Sequence, residues 1–118
     1  MNSEAEKLEK REEIAKVSMQ IIMNASDAKA DALNALKSLR NFDFNAPVEL
    51  LKKAHSKIVL AHKAQTNLVQ NEASGETYEN SLLFNHAQDT LMTAKAQIEM
   101  SEEIYALVRA LFNKIESK

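Results

Sequence analysis

The chain has 118 residues with one Gly, one Pro, no Cys, 5% aromatic residues and a net charge of −2. That length allows one domain with a modest core, and the composition argues against sheets, which draw on turn residues and on β-branched and aromatic side chains. Without cysteine there is no disulfide framework or thiol chemistry, and with charges of both signs interspersed there is no basic cluster fit to compete for nucleic-acid phosphates.

No apolar run approaches the roughly 20 residues that span a bilayer, and MNSEAEKLEKREE lacks the apolar centre of a signal peptide. The expectation is an all-α, cytoplasmic protein with no direct membrane insertion. Residues 1–13 read as a polar N-terminal extension and 14–118 as a single domain. The extension is expected to fray, although SEAEKLEKREE has the propensity to lengthen the first helix. Ile14, Val17, Ile21, Ala25, Ala28, Ala32, Ala35 and Leu39 then recur three and four apart, the seam of a long helix whose alanines bring neighbours close. NFDFNAP breaks it, with Asn41, Asp43 and Asn45 suited to turns and caps and Pro47 to the first turn of the next helix.

A second helix is predicted over about 47–73. Leu51, Ile58 and Val69 mark one line on it, and Leu50, Ala54, Ala61, Ala64 and Leu68 another. Gly75, the one glycine, stands where a left-handed residue closes a helix, and Thr77 is placed to cap the third. That third helix is predicted from about 77 to 115, roughly 60 Å at 1.5 Å per residue. One seam on it is Leu83, Ala87, Leu91, Ala94, Ile98, Tyr105, Val108, Phe112 and Ile115. Around the helix runs a second line of Leu82, His86, Asp89, Thr93, Ala96, Met100, Ile104, Leu107 and Leu111. An antiparallel three-helix bundle needs one seam, so a second stripe implies another covering surface, and a homo-oligomer follows.

Chemistry concentrates in SLLFNHAQDTLM, residues 81–92, where His86 and Asp89 share a face of the second stripe. The plain reading is a satisfied core histidine and an aspartate that fixes register. The alternative begins from the cost of a buried carboxylate, which has to be paired or bound to a cation. Copies of Asp89 converging on an odd-order axis would suit a hard cation such as Mg²⁺. His86, with an unperturbed pKa near 6.5, is a fit nucleophile for phosphoryl acceptance at neutral pH. On the second helix His62 and Gln65 share a face, with His62 read as an interhelical hydrogen-bond partner and His55 as a surface residue. A di-iron cage would want Glu-x-x-His on two helices, and the sequence has none; Gly-rich phosphate loops, G-x-S-x-G and H-E-x-x-H are absent as well.

AHKAQTNLVQNEASGE (61–76) and SLLFNHAQDTLM (81–92) together closely resemble the enzyme IIA component of the lactose/cellobiose class of the bacterial phosphoenolpyruvate-dependent sugar phosphotransferase system. The resemblance covers residues 14–116. It implies three-helix subunits assembled as a homotrimeric nine-helix bundle. It implies that His86 accepts a phosphoryl group from the carrier protein HPr and passes it to a cysteine of the cognate enzyme IIB. It also implies that Asp89 binds a metal ion, Mg²⁺, on the threefold axis, and that Gln88 lies beside the active site, with His62 and Gln65 as further supporting residues.

The family usually reads H-A-Q-D-H-L-M, and here Thr90 replaces the second histidine. Loss of that imidazole should spare transfer if His86 is the acceptor, while altering the local electrostatics or partner preference. The long N-terminal extension is more like cellobiose and diacetylchitobiose members than lactose members. Two rival readings remain: a non-transferring regulatory or binding module on the same trimeric fold, and a structural coiled-coil adaptor indifferent to His86.

Overall fold

The computed structural model describes residues 3–117. Three α-helices follow in order: α1, Glu4–Leu39; α2, Ala46–Ala73; and α3, Leu82–Glu116. They run up, down and up in a slender bundle of 73 × 21 × 18 Å. Cross-contacts fix the directions. Lys57 on α2 pairs with Asp31 on α1 at 2.7 Å, Gln65 on α2 bonds Gln88 on α3, and the Tyr105 hydroxyl on α3 donates to the Phe44 carbonyl beside the start of α2.

The α1 seam is buried as the periodicity predicts, with one exchange. Ser18 is fully buried, and the neighbouring Val17 only partly so. Burying a hydroxyl is costly unless it is bonded, and the Ser18 Oγ donates to the Ile14 carbonyl at 2.6 Å. Ala25, Ala28, Ala35, Ala54, Ala61, Ala87 and Ala94 are each 0% exposed. With so little side chain between them the helix axes can approach to the short end of the usual 8–10 Å, and Ile21 and Leu91 fill the remaining space as the largest fully buried aliphatic residues.

Each end of α2 has a local cause. Asp43 Oδ1 accepts from the Asn45 and Ala46 N–H groups at 3.0 and 3.2 Å, and Pro47 stands in the first turn. Gly75 adopts φ +108°, its N–H bonds Glu72 O at 3.1 Å, and Glu76 N–H bonds Asn71 O at 3.1 Å. That is a Schellman closure, in which a glycine stands in the left-handed region at no Cβ penalty. Phe42 also takes a positive φ, 57°, uncommon for a bulky residue. Its ring lies 5.5 Å from Phe112, and Phe44 lies 5.0 Å from the same ring, an aromatic plug under the α1–α2 turn.

Four expectations change. The polar segment before Ile14 is helical from Glu4, with Ser3 Oγ accepting from Glu6 N–H at 3.1 Å; Met1, Asn2 and Lys118 lie outside the described residues. α3 begins at Leu82, not near Thr77, and its cap is Ser81, whose Oγ accepts from Phe84 N–H at 3.1 Å. The Thr77 carbonyl is instead taken by Lys10 Nζ at 3.3 Å, which draws the chain across to α1 before it can turn helical. Val69 is 49% exposed because the α2 stripe that faces inward is Leu51, Ala54, Ile58, Ala61 and Leu68, drawn from both predicted lines. Ile115, placed in the α3 seam, is 65% exposed; α1 ends at Leu39 and α2 begins at Ala46, so α3 continues past the helices that would cover it.

Candidate functional site

Ser81 starts α3 and sets the rotation of its first turns. Ala87 and Leu91 then face the core, and His86 and Asp89 are left exposed. The second stripe of α3 is therefore open along the single chain. Leu82, Met100, Leu107 and Leu111 are 86%, 62%, 62% and 56% exposed. His86 is not the satisfied core histidine of the plain reading; it and Asp89 both stand on a surface reachable from outside the subunit.

Gln88 lies between these two faces and is half-buried. Gln65 Nε2 donates to its Oε1 at 3.1 Å, tying α2 to α3 two residues from His86. This bond fixes the Gln88 amide and leaves its own NH₂ group to donate elsewhere. Beside it opens a cleft of about 330 Å³ between α1, α2 and α3, lined by Ile14, Leu68, Glu72, Phe84, Asn85 and Gln88 among others. The cleft wall thus includes the residue before His86 and the residue two after it.

His62 does not reach across to α3 in the way its predicted interhelical role required. It is exposed, and its Nδ1 lies 3.5 Å from Thr66 Oγ1, one turn along the same helix. Thr90 Oγ1 donates to the His86 carbonyl at 2.9 Å. That back-bond to the preceding turn occupies the hydroxyl, so the residue standing where the motif usually has a second histidine is engaged with backbone.

Sequence reasoning missed the residues that hold the α2–α3 loop. Arg11 on α1 grips Glu79 with two bonds, Nε to Oε2 at 2.7 Å and Nη2 to Oε1 at 3.1 Å. The paired guanidinium, through those hydrogen bonds first and its charge second, holds the Glu79 carboxyl below its ordinary range; the same pairing raises Arg11. Tyr78 donates to Glu76 Oε2 at 2.7 Å, and that bond raises its hydroxyl above the usual phenol value. Arg11 and Glu79 are 68 positions apart, and no local pattern announces such a pair.

For a metal, the test is the donor set. Among the described residues no group of three or more His, Cys, Asp or Glu side chains is placed to hold an ion. Asp89 contributes a hard oxygen donor of the kind Mg²⁺ prefers, but one carboxylate is not a site, and one chain does not fit the ion. Any such centre would need Asp89 from several copies.

Comparison with known proteins decides the family. A family model described as the PTS system, lactose/cellobiose-specific IIA subunit, matches residues 16–109. The chain belongs to the lactose/cellobiose IIA family. The lichenan-specific phosphotransferase enzyme IIA component of Bacillus subtilis (strain 168) is 36% identical over 96 residues, covering 81% of this chain and 87% of that protein. A lactose-specific EIIA component of Staphylococcus epidermidis is 33% identical over 99 residues, 84% of this chain and 95% of its own. Among solved structures, the cellobiose-specific enzyme IIA from Bacillus anthracis superposes with a TM-score of 0.79 at 34% identity, covering 97% of this chain and 96% of that one. PtcA from S. mutans gives 0.80 at 29% identity, with 92% and 99% covered. The IIA protein is accordingly a phosphotransferase component of sugar transport built on an all-α fold, and among its described residues no helix is long and apolar enough to cross a membrane.

Proposed function

We propose that this IIA protein is a cytoplasmic phosphocarrier in which His86 accepts a phosphoryl group from phospho-HPr and hands it to a cysteine of the cognate enzyme IIB. The observation that carries the reading is the exposed imidazole of His86, held on a rigid helix beside the Gln65–Gln88 pair. In the first step a nitrogen–phosphorus bond forms at His86 as the one on the carrier breaks. In the second, a sulfur–phosphorus bond forms on IIB as the bond to His86 breaks. Both need a nucleophile that a macromolecule can approach in line, and a surface helix supplies that. Ser81, Leu82, Asn85 and Gln88 are the contact face for the two partners, which dock in turn.

The open stripe on α3 supports a homotrimer, in which nine helices bury the apolar residues a single subunit leaves in water. Three copies of Asp89 meeting on its axis would hold Mg²⁺ as a structural ion, and no transfer step passes through it. For the sugar, relatives named for lichenan, lactose and cellobiose support a β-disaccharide, with a cellobiose or diacetylchitobiose type favoured over lactose by the long N-terminal helix.

The test is the intact mass of wild type and of His86→Ala after incubation with phosphoenolpyruvate, enzyme I and HPr. One acid-labile phosphoryl group per chain on wild type and none on the variant is the expected result. A folded wild type that gains no mass would replace the carrier with a non-transferring module.

A further inference from the structure

The first turns of α1 do something that the carrier reading does not require. α1 starts at Glu4, whereas the core seam begins only at Ile14. The extra turns rise past the end of α2 at Ala73 and run alongside the loop 74–81. There they make three kinds of contact with it. Arg11 forms its two-pronged pair with Glu79. Lys10 Nζ donates to the Thr77 carbonyl, and the same ammonium stands 5.8 Å from the Tyr78 ring centroid. Between helix and loop lies a second cleft of about 330 Å³, lined by Lys7, Lys10, Arg11, Ile14, Thr77 and Tyr78. The loop is thus bound to α1 at its rim by polar contacts and is not packed into the core, and both partners of the Arg11–Glu79 pair are more than half exposed.

What the loop holds in turn is the start of α3. Glu79 lies two residues before Ser81, the cap that sets the first turn, and Asn80 Oδ1 accepts from Asn85 Nδ2 at 3.4 Å. His86 is the next residue.

We propose that residues 4–13 act as a splint for the α2–α3 loop and that Arg11, through Glu79, is a positioning residue for His86. The inference rests on His86 being the phosphoryl acceptor. When the splint releases, the loop and the cap at Ser81 loosen together, and the fraction of chains presenting His86 in the transfer geometry falls. A donor that binds only the ordered form then shows weaker apparent binding by that same fraction. Once bound it holds the loop itself, so saturated turnover is unchanged.

The experiment compares full-length wild type with Arg11→Glu, Glu79→Arg and the double charge swap. Two readouts are taken: hydrogen exchange of the loop amides, and the kinetics of phosphoryl transfer from phospho-HPr. Exposed two-pronged pairs are modest, so each single reversal is expected to raise loop exchange by roughly two- to fivefold, and to raise the KM for phospho-HPr by the smaller factor with which the ordered fraction falls. The swap should bring both back to wild type, and kcat should stay constant throughout. Unchanged loop exchange in both single variants, or a swap that fails to restore it, would overturn the splint. Faster exchange with an unmoved KM would overturn the positioning role. Wild type that accepts no phosphoryl group would instead remove the acceptor reading and Arg11's part in transfer with it, while the exchange data still decide whether the splint exists.

Discussion

Replacing Leu107 by serine should take the protein apart without unfolding it. In the single subunit Leu107 is 62% exposed, on the side of α3 away from Ala94 and Ile98. Full burial of a leucine side chain is worth about 1.5–3 kcal/mol, so covering the part still in water contributes about 1–2 kcal/mol per copy. Three copies in a trimer lose about 3–6 kcal/mol together, which weakens assembly by roughly 10²–10⁴-fold. The subunit's own stability should change by no more than the helix-propensity difference, about half a kcal/mol. Sedimentation equilibrium over a micromolar concentration series reads the first quantity, and helical circular dichroism through a thermal melt reads the second. Wild type is expected to run as a trimer and Leu107→Ser as a monomer at the same concentration with unchanged helicity. A variant with wild-type mass would refute the argument that this stripe is the covered surface. A variant whose helicity collapses would show that Leu107 belongs to the subunit core.

Other outcomes follow from the same structure. Ser81→Ala should cost about 1 kcal/mol in denaturant unfolding, the usual loss for a helix cap, while Thr77→Ala leaves the midpoint within experimental error; equal losses would restore Thr77 as the cap. Asp89→Leu should keep the trimer and raise its stability while abolishing retention of Mg²⁺ through gel filtration, because an apolar axis replaces converging charges; dissociation into monomers would defeat it. Glu79 should titrate by carboxyl NMR below its ordinary value of 4.5, and Arg11→Ala should bring it back up. Because the folded-state value is depressed, the contribution of this pair is present above the ordinary value and is lost as pH falls through the lowered one; a midpoint at the ordinary value in wild type would mean the pair does not persist in solution.

Much of the fold could be read from the sequence because its signals are local and repeated. The α1 seam repeats three and four apart over seven turns, and the break after it and the close of α2 carry residues with few other uses: Asp43 and Pro47 at the first, Gly75 at the second. The start of α3 was ambiguous for a physical reason. Thr77 and Ser81 are both hydroxyl residues ahead of polar and apolar stretches, and either could accept a backbone N–H. What selects Ser81 is Lys10 on the Thr77 carbonyl and Arg11 on Glu79, contacts made across the bundle from a segment that read as a fraying tail. Val69 and Ile115 were misplaced for a related reason: periodicity finds apolar lines on a helix, but which line is covered, and for how long, depends on where the neighbours stop. His62 shows the limit for polar residues. Its place on a face with Gln65 was legible, but the spacing does not say whether its ring reaches α3 or turns back to Thr66.

The open stripe of α3 has two halves with different chemistry, and the division bears on how one helix can serve both assembly and transfer. On the stripe from Met100 to Leu111 the exposed residues are apolar, at 62% for Met100 and 56% for Leu111, while His86, Asp89 and Thr93 bring polar groups to the other half. Along the whole stripe, Leu82, His86, Asp89, Thr93, Ala96, Met100, Ile104, Leu107 and Leu111 recur on average about 3.6 residues apart, the period of the α-helix itself, so the stripe runs along the helix without the left-handed winding that a strict heptad imposes. Straight packing matters here because a supercoil would carry the polar half around the partner helices as the apolar half engaged. Without it, a face covered at the lower end in the proposed trimer continues in register to the upper end. There the short polar side chains leave room, and the cap at Ser81 and its bound loop define where α3 begins. Apolar contact at one end can then fix the relative positions of copies of His86 and Asp89 at the other while leaving the imidazole to partners.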